Sequence, residues 1–481
     1  MNKKIRRIAG ILAGVMILSM LVGCSQNGTV VSSKLDSLEP MEAEEVYTYS
    51  FDIIGGKDVM PIGGYYGPSE SAMSVNGQTA PTSITEEWYK AVAEAGINYI
   101  PYPQVAYNAK PEQYLKMLDL AQKYGIAQVV KDDILMGTYD MTKEDVTDEL
   151  KDILNHPAFA GVFLYDEPGN PGHHSYRTNL SVLANASNVL NNDMGLFVYN
   201  NALYGSTKQL SVYPDYIKEY LETQGMKFFS YTCYPSFARD QINEYYEYFW
   251  TLAFNREMCE EYKMPFWSFI GAGAQWNGTG AYVKYEDYYP VEGEFDWNIN
   301  TKLAFGVKGL HYFVLNQPKE YAVGEGEGLF DFQVNGMFGL WNNKNRWYYY
   351  AKDINAHIGE IDHVLMNSKN KGVIVSGNKA ADAMKLIKTE NKVDPSVIMD
   401  GTSWRELKDV SGDAIVGCFN YQGKTALYVV NYLFDHAQKI DLEFTGKYKM
   451  TVVQDAETSY LVGDSMTLDM KAGDGVLIVF D

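Results

Sequence analysis

From about residue 59 to residue 361 the chain switches hydrophobic period repeatedly. Short runs of β-branched and aromatic residues alternate with segments whose apolar residues recur at helical spacing. The pattern predicts strands over Val59–Tyr66, Ile97–Tyr102, Ile126–Val130, Gly161–Tyr165, Gly195–Tyr199, Lys227–Tyr231, Pro265–Ile270 and Gly309–Leu315. It predicts helices over Ile84–Ala95, Pro111–Tyr124, Lys143–Leu154, Tyr176–Leu190, Pro214–Thr223, Asp240–Tyr262, Asn298–Phe305 and Trp341–Ile361. Thr82/Ser83 with Glu86/Glu87 supply N-terminal capping for the first helix, and Pro111 opens the second. An open doubly wound sheet also alternates, but no phosphate-binding glycine fingerprint follows the first strand. Eight such units predict a (β/α)8 barrel, residues 51–366. Beyond it, short strands such as Asp413–Tyr421, Lys424–Asn431, Tyr448–Gln454 and Gly475–Phe480, with little helix between them, predict a small all-β sandwich, residues 367–481. Asn420-Tyr421-Gln422-Gly423 reads as a hairpin turn.

A parallel barrel does its chemistry where its strands end. The fourth strand, Gly161-Val162-Phe163-Leu164-Tyr165, runs straight into Asp166-Glu167-Pro168, and Pro168 stops the ladder. Other strand ends offer Tyr65 and Tyr66, Tyr102, Asp132 and Asp133, Asn200, Tyr231 and Tyr234, Trp267, Gln275 and Trp276, and Asn316. Carboxylates, amides and aromatics suit glycosidic hydrolysis. One carboxylic acid protonates the leaving oxygen and a second carboxylate acts as nucleophile or base. Rings stack on sugar faces, and amides and phenols bond hydroxyls. Because neighbours on a strand face opposite ways, Asp166 and Glu167 serve one bond together only if the strand ends between them. Glu167, at the rim, is the expected acid. The rival is that both carboxylates anchor loops. His173-His174 lack metal-ligand spacing, and no metal or cofactor is expected.

The remaining composition narrows the setting. Residues 1–24 combine Lys3, Lys4, Arg6 and Arg7 with an apolar run ending Leu21-Val22-Gly23-Cys24, which reads as an export signal with a lipoprotein cleavage box. Cys24 is then the lipidated N-terminus, residues 25–50 a tether, and the chain is expected at the bacterial cell surface or envelope, touching membrane only through its lipid. A net charge of −21 with no basic patch argues against a nucleic-acid partner and leaves carbohydrate as the expected one. Cys233, Cys259 and Cys418 are widely spaced and read as buried apolar residues rather than disulfides or zinc ligands.

Asp166-Glu167-Pro168 resembles the fourth-strand Asn-Glu-Pro of a large clan of (β/α)8 glycoside hydrolases. The run Ala304-Phe305-Gly306-Val307-Lys308-Gly309-Leu310-His311-Tyr312-Phe313 is similar to the segment entering the eighth strand of its β-galactosidase-like members. The resemblance implies that Glu167 is the acid/base and that Asp166 stands where the clan has Asn. It also implies a nucleophilic Glu at the end of the seventh strand, and there the chain departs: Pro265–Ala281 contains no acidic residue. A neutral Gln275 cannot replace a carboxylate nucleophile. Three alternatives stay open. The partner is Asp133, or second Asp132, suiting an inverting enzyme. Or it comes from the long loops, through Glu286, Asp287, Glu325 or Glu327. Or the protein is a non-catalytic carbohydrate-binding lipoprotein with a degenerate barrel.

Overall fold

The computed structural model describes residues 35–70, 74–75, 78–168, 180–202, 212–235, 242–273, 291–317, 336–384 and 395–481. Within them, eight parallel strands form one sheet: β1 Ile62–Gly64, β2 Tyr99–Ile100, β3 Ala127–Lys131, β4 Phe159–Asp166, β5 Val198–Asn201, β6 Phe229–Tyr231, β7 Phe266–Gly271 and β8 Leu310–Phe313. Their order is β5-β4-β3-β2-β1-β8-β7-β6. The ring closes just past β5, where Ala202 N donates to Ser230 O at 2.8 Å and Thr232 N donates to Ala202 O at 3.1 Å. The predicted (β/α)8 barrel is therefore the observed one.

The barrel helices are α1 Glu86–Glu94, α2 Pro111–Tyr124, α3 Lys143–Leu150, α4 Leu180–Asn188, α5 Tyr213–Thr223, α6 Ile242–Glu261, α7 Glu292–Ala304 and α8 Arg346–Met366. The cap of α1 is Thr85, whose Oγ1 accepts from Trp88 N at 3.2 Å, two residues after the expected Ser83. Helix α7 begins six residues before the expected Asn298. It is buried on nearly every side, because it lies between the barrel and the second sheet, so no amphipathic stripe marked its start.

The barrel floor is aromatic. Tyr49 stacks on Phe197 at 5.1 Å and Phe51 on Tyr99 at 4.9 Å, closing the N-terminal end of the lumen. Glycines make room for the larger rings above them: a Cβ at Gly309 would lie 2.4 Å from the Trp267 ring, and one at Gly63 would lie 2.6 Å from Tyr99. Residues 36–50, expected to belong to the tether, are instead fixed to the body of the chain. Asp36 N donates to Lys447 O, Met41 N to Gly423 O, and Leu38 packs into the second core. A polar composition hid these backbone bonds.

The C-terminal strands are β9 Ser368–Ser376, β10 Leu407–Ser411, β11 Ala414–Tyr421, β12 Lys424–Asn431, β13 Gln438–Gln454, β14 Glu457–Met470 and β15 Gly475–Phe480. They form an antiparallel sheet in the order β9-β11-β12-β15-β13-β10, with β14 along β13. The β13–β14 register breaks after Glu443 and resumes at Tyr448, so the sheet folds over an apolar core that includes Val416, Leu427, Ile440, Leu442, Met450 and Ile478. Alternate residues of the central strands, among them Ile415, Phe419, Tyr428 and Leu477, join the barrel core. Burial on both faces explains their continuous apolar runs. The β11–β12 hairpin turns at Gln422 and Gly423, both at positive φ, as the sequence predicted. Cys233, Cys259 and Cys418 are free and buried.

Candidate active site

The fourth strand is shaped by two local irregularities. Gly161 enters it at φ +145°, where a Cβ would sit 2.0 Å from Phe197 O. Between Phe163 and Tyr165 a bulge shifts the register against β5, so that Phe163 pairs with Tyr199 but Asp166 pairs with Asn201. Without the bulge, Tyr165 would share the lumen face of Phe163. With it, Asp166 takes that face, the re-aiming that bulges perform beside functional sites. The strand ends at Asp166, and Glu167 follows at φ +53°, a left-handed corner that breaks the alternation. Glu167 N donates to Asn201 O at 2.7 Å, and Tyr216 Oη donates to Pro168 O at 2.8 Å. The condition set by alternation is met: the strand ends between the two carboxylates.

Asp166 reaches across the lumen. Its Oδ2 accepts from Tyr65 Oη, at the exit of the far strand β1, at 3.3 Å. Burial first, and then the Asp166 charge, push the Tyr65 and Tyr199 phenols well above the usual range, so both stay protonated. Tyr65 stacks on Tyr102 at 4.7 Å with planes 8° apart. Tyr66, at φ +56°, stands edge-on to both rings. Phe313 lies 6.0 Å from Tyr65, and Tyr234 lies 5.7 Å from Phe313. An aromatic wall thus runs from the exit of β2 past β1 and β8 to the exit of β6. At its outer end Lys131 Nζ sits 5.3 Å over Tyr102 and 3.7 Å from Asp133 Oδ1. Behind β6 and β7, the buried Lys302 ammonium donates to Cys233 O and Phe269 O, pinning the two strand exits together.

The structure therefore brings Tyr65, Tyr102, Tyr234, Asp166 and the Glu167 corner to one mouth, with Asp133 at its edge. Asp133 is the first residue of a short helix, its side chain 56% exposed and paired with Lys131. Asp132 is buried and committed as that helix's cap: its Oδ1 accepts from Ile134 N and Leu135 N, and its Oδ2 from Asn108 N. Four expected sugar contacts are placed elsewhere. Asn200 faces the helix layer, where Nδ2 donates to Gln224 Oε1 at 3.4 Å and its carbonyl accepts from Tyr220 Oη. Tyr231 lies on the same outer side, stacked with Phe266 at 5.7 Å. Trp267 belongs to the lumen floor, 4.5 Å from Phe228. Asn316 is a clamp, with Oδ1 accepting from Trp88 Nε1 and Nδ2 donating to Gly67 O. Gln275, Trp276, Cys24, His173, His174 and the loop carboxylates Glu286, Asp287, Glu325 and Glu327 lie outside the described residues.

Two polar residues at the mouth are not among the expected contacts. Asn201 lies beside Asp166 in register, with Nδ2 donating to Thr232 Oγ1 at 2.7 Å. Gln317, 2% exposed at the exit of β8, has neither amide atom partnered among the described residues. The doublets Asn200-Asn201 and Asn316-Gln317 were the only signal, and which member faces inward depends on register. Among the described residues no three His, Cys, Asp or Glu side chains converge as metal ligands.

No family model matches the chain, and neither does any curated protein. Solved structures similar to it include one described as a glycoside hydrolase, at 13% identity and TM-score 0.47, covering 88% of this chain and 93% of that one. A glycoside hydrolase family 5 protein from Bacteroides vulgatus matches at 12% identity and TM-score 0.48, over 88% and 89% of the two chains. A glucosidase from Croceicoccus marinus matches at 10% identity and TM-score 0.41, over 93% and 98%. Fold and mouth together define a (β/α)8 barrel with a C-terminal β-sandwich and a carboxylate-bearing, aromatic-walled cleft. At such identities and scores the function has to be argued from that cleft.

Proposed function

We propose that the chain is a glycoside hydrolase, exported and held at the cell surface by a lipid on Cys24, that cleaves an oligosaccharide or polysaccharide. The observation that carries this reading is the β4 exit. Its bulge turns Asp166 into an aromatic-walled lumen, and its left-handed corner frees Glu167 from strand alternation. Glu167 is the general acid that protonates the leaving glycosidic oxygen. Asp166, held from across the lumen by Tyr65, is favoured over the solvent-exposed Asp133 and the capping Asp132 as the second carboxylate. Tyr102, Tyr66 and Tyr234 offer faces and edges for sugar rings. The test is a glycan library incubated with wild type and Glu167→Gln. Turnover should fall about 10²–10⁴-fold in the variant, the range for loss of general acid catalysis. Cleavage that survives the substitution would remove Glu167 from this role.

One observation favours a second reading, binding without cleavage: β7 and the two residues after it, Phe266 to Gly273, carry no acidic side chain. On that reading the library yields complexes and no products, from wild type as from variant.

A further inference from the structure

Asn201 is fully buried, at 0% exposure, and its environment is incomplete. Its Nδ2 donates to Thr232 Oγ1 at 2.7 Å, while Oδ1 is buried with no hydrogen-bond partner among the described residues. Leaving a buried acceptor unpaired is among the more costly defects a fold can carry. The side chain faces the lumen on two independent grounds. Tyr199, two residues earlier on β5, stacks on Phe163 at 5.1 Å and lies 6.1 Å from Tyr65, inside the barrel. Thr232, its partner, follows Ser230 by two residues, and Ser230 Oγ meets His311 Nδ1 inside the barrel at 3.2 Å. Asn201 and Thr232 therefore form the next layer up, level with Asp166, which pairs with Asn201 in register. The backbone of the same residue receives Glu167 N at 2.7 Å, so Asn201 also supports the corner that carries the expected acid.

We propose that Asn201 is a substrate-binding residue, whose Oδ1 accepts a hydrogen bond from a hydroxyl of the sugar seated beside Asp166 and Glu167. Thr232 fixes the amide by holding its other end. A sugar hydroxyl at the height of the carboxylates supplies the donor that Asn201 Oδ1 lacks. Asn200 makes the internal control, since it belongs to the same doublet, is equally buried and likewise has an Oδ1 without a partner among the described residues, but faces Gln224 and Tyr220 in the helix layer, so that only facing separates the two. The assignment rests on the carbohydrate reading above.

Binding separates the two claims. The full chain carrying Glu167→Gln, so that no bond is broken, is titrated calorimetrically with the methyl α- and β-pyranosides of glucose, galactose and mannose. The best binder is then replaced by its monodeoxy analogues. One deoxy analogue should bind this parent at least tenfold more weakly than the full sugar. Adding Asn201→Ala should weaken the full sugar by a similar factor and abolish its advantage over that one analogue. Asn201→Asp, which keeps an acceptor, should restore part of the advantage, and Asn200→Ala should lower Tm without changing the pattern. A folded Asn201→Ala protein that still discriminates every deoxy analogue as the parent does would overturn the assignment of Asn201 alone. If Asn201→Ala fails to fold, Asn201→Asp and Thr232→Val decide in its place, and unchanged discrimination in both overturns it. Failure of the parent to bind any glycoside would overturn the carbohydrate reading, and this inference with it.

Discussion

His311 gives the sharpest test of how the barrel interior is built. It lies at 0% exposure in mid-lumen, with ring centroids of Phe269 at 4.9 Å, Tyr99 at 5.5 Å, Trp267 at 5.5 Å and Tyr199 at 5.6 Å. Ser230 Oγ is its one polar contact, at Nδ1, and Nε2 has no partner among the described residues. The titratable groups that face it, Tyr99 and Tyr199, are phenols that burial keeps protonated, so neither offers a charge. Burial alone lowers the imidazole pKa from 6.5 to about 3. In the unfolded chain the ring takes a proton near pH 6.5, whereas in the fold it refuses one until about pH 3. Stability is therefore whole above pH 6.5 and falls as the pH drops below it, by about 1.4 kcal/mol per unit. From pH 6.5 to pH 4 this amounts to roughly 3 kcal/mol from one side chain. Urea unfolding at pH 7 and pH 4 should show wild type losing about 3 kcal/mol more than His311→Phe. The fixed cost of repacking Phe is the same at both pH values and cancels, as do the contributions of His357 and the carboxylates. Equal losses in the two proteins would refute a neutral, water-excluded His311 and mean that the lumen solvates a charge there.

Two further substitutions test the frame around the mouth. Glu294, 6% exposed in the first turn of α7, has its pKa raised to about 7, chiefly by burial and against the bond it accepts from Val291 N. An acid raised in the fold stabilises least when the unfolded chain is ionised, so stability drains away as pH rises from about 4.5 to about 7. Glu294→Gln should therefore raise Tm at pH 8 relative to wild type and leave it nearly unchanged at pH 4.5; scanning calorimetry at the two pH values decides, and an equal shift at both contradicts the assignment. Asp132→Ala removes a cap with two amide partners and strands Asn108 N, which should cost about 1–2 kcal/mol, visible as a lower urea midpoint. If Asp132 instead supplied the catalytic base, turnover per folded molecule would collapse while the midpoint stayed put.

What could be read in the sequence, and what could not, divides along one physical line. Period is local: a strand or helix announces itself in a dozen residues, so eight β–α units and the terminal sheet were legible before any contact was known. Facing is not local. The bulge after Phe163 is one residue of slip, and that slip decides whether Tyr165 or Asp166 looks into the lumen. The Asn200-Asn201 doublet could be resolved only through the register of β5 against β4, and Tyr231 only through the parity of β6. Depth is equally hidden. Trp267 is the second residue of β7 and so sits near the floor, although strand order alone groups it with the mouth. Asn316 is spent on Gly67 and Trp88, partners more than two hundred residues away in sequence. The corner at Glu167 belongs to the same class of fact: alternation points two neighbouring carboxylates opposite ways, and the strand's end at Asp166 with a left-handed residue at Glu167 interrupts that alternation. The proposed acid chemistry would therefore depend on two backbone irregularities flanking one residue, Asp166. A substitution that repairs the β4 ladder should abolish function more completely than one that trims a ring from the wall.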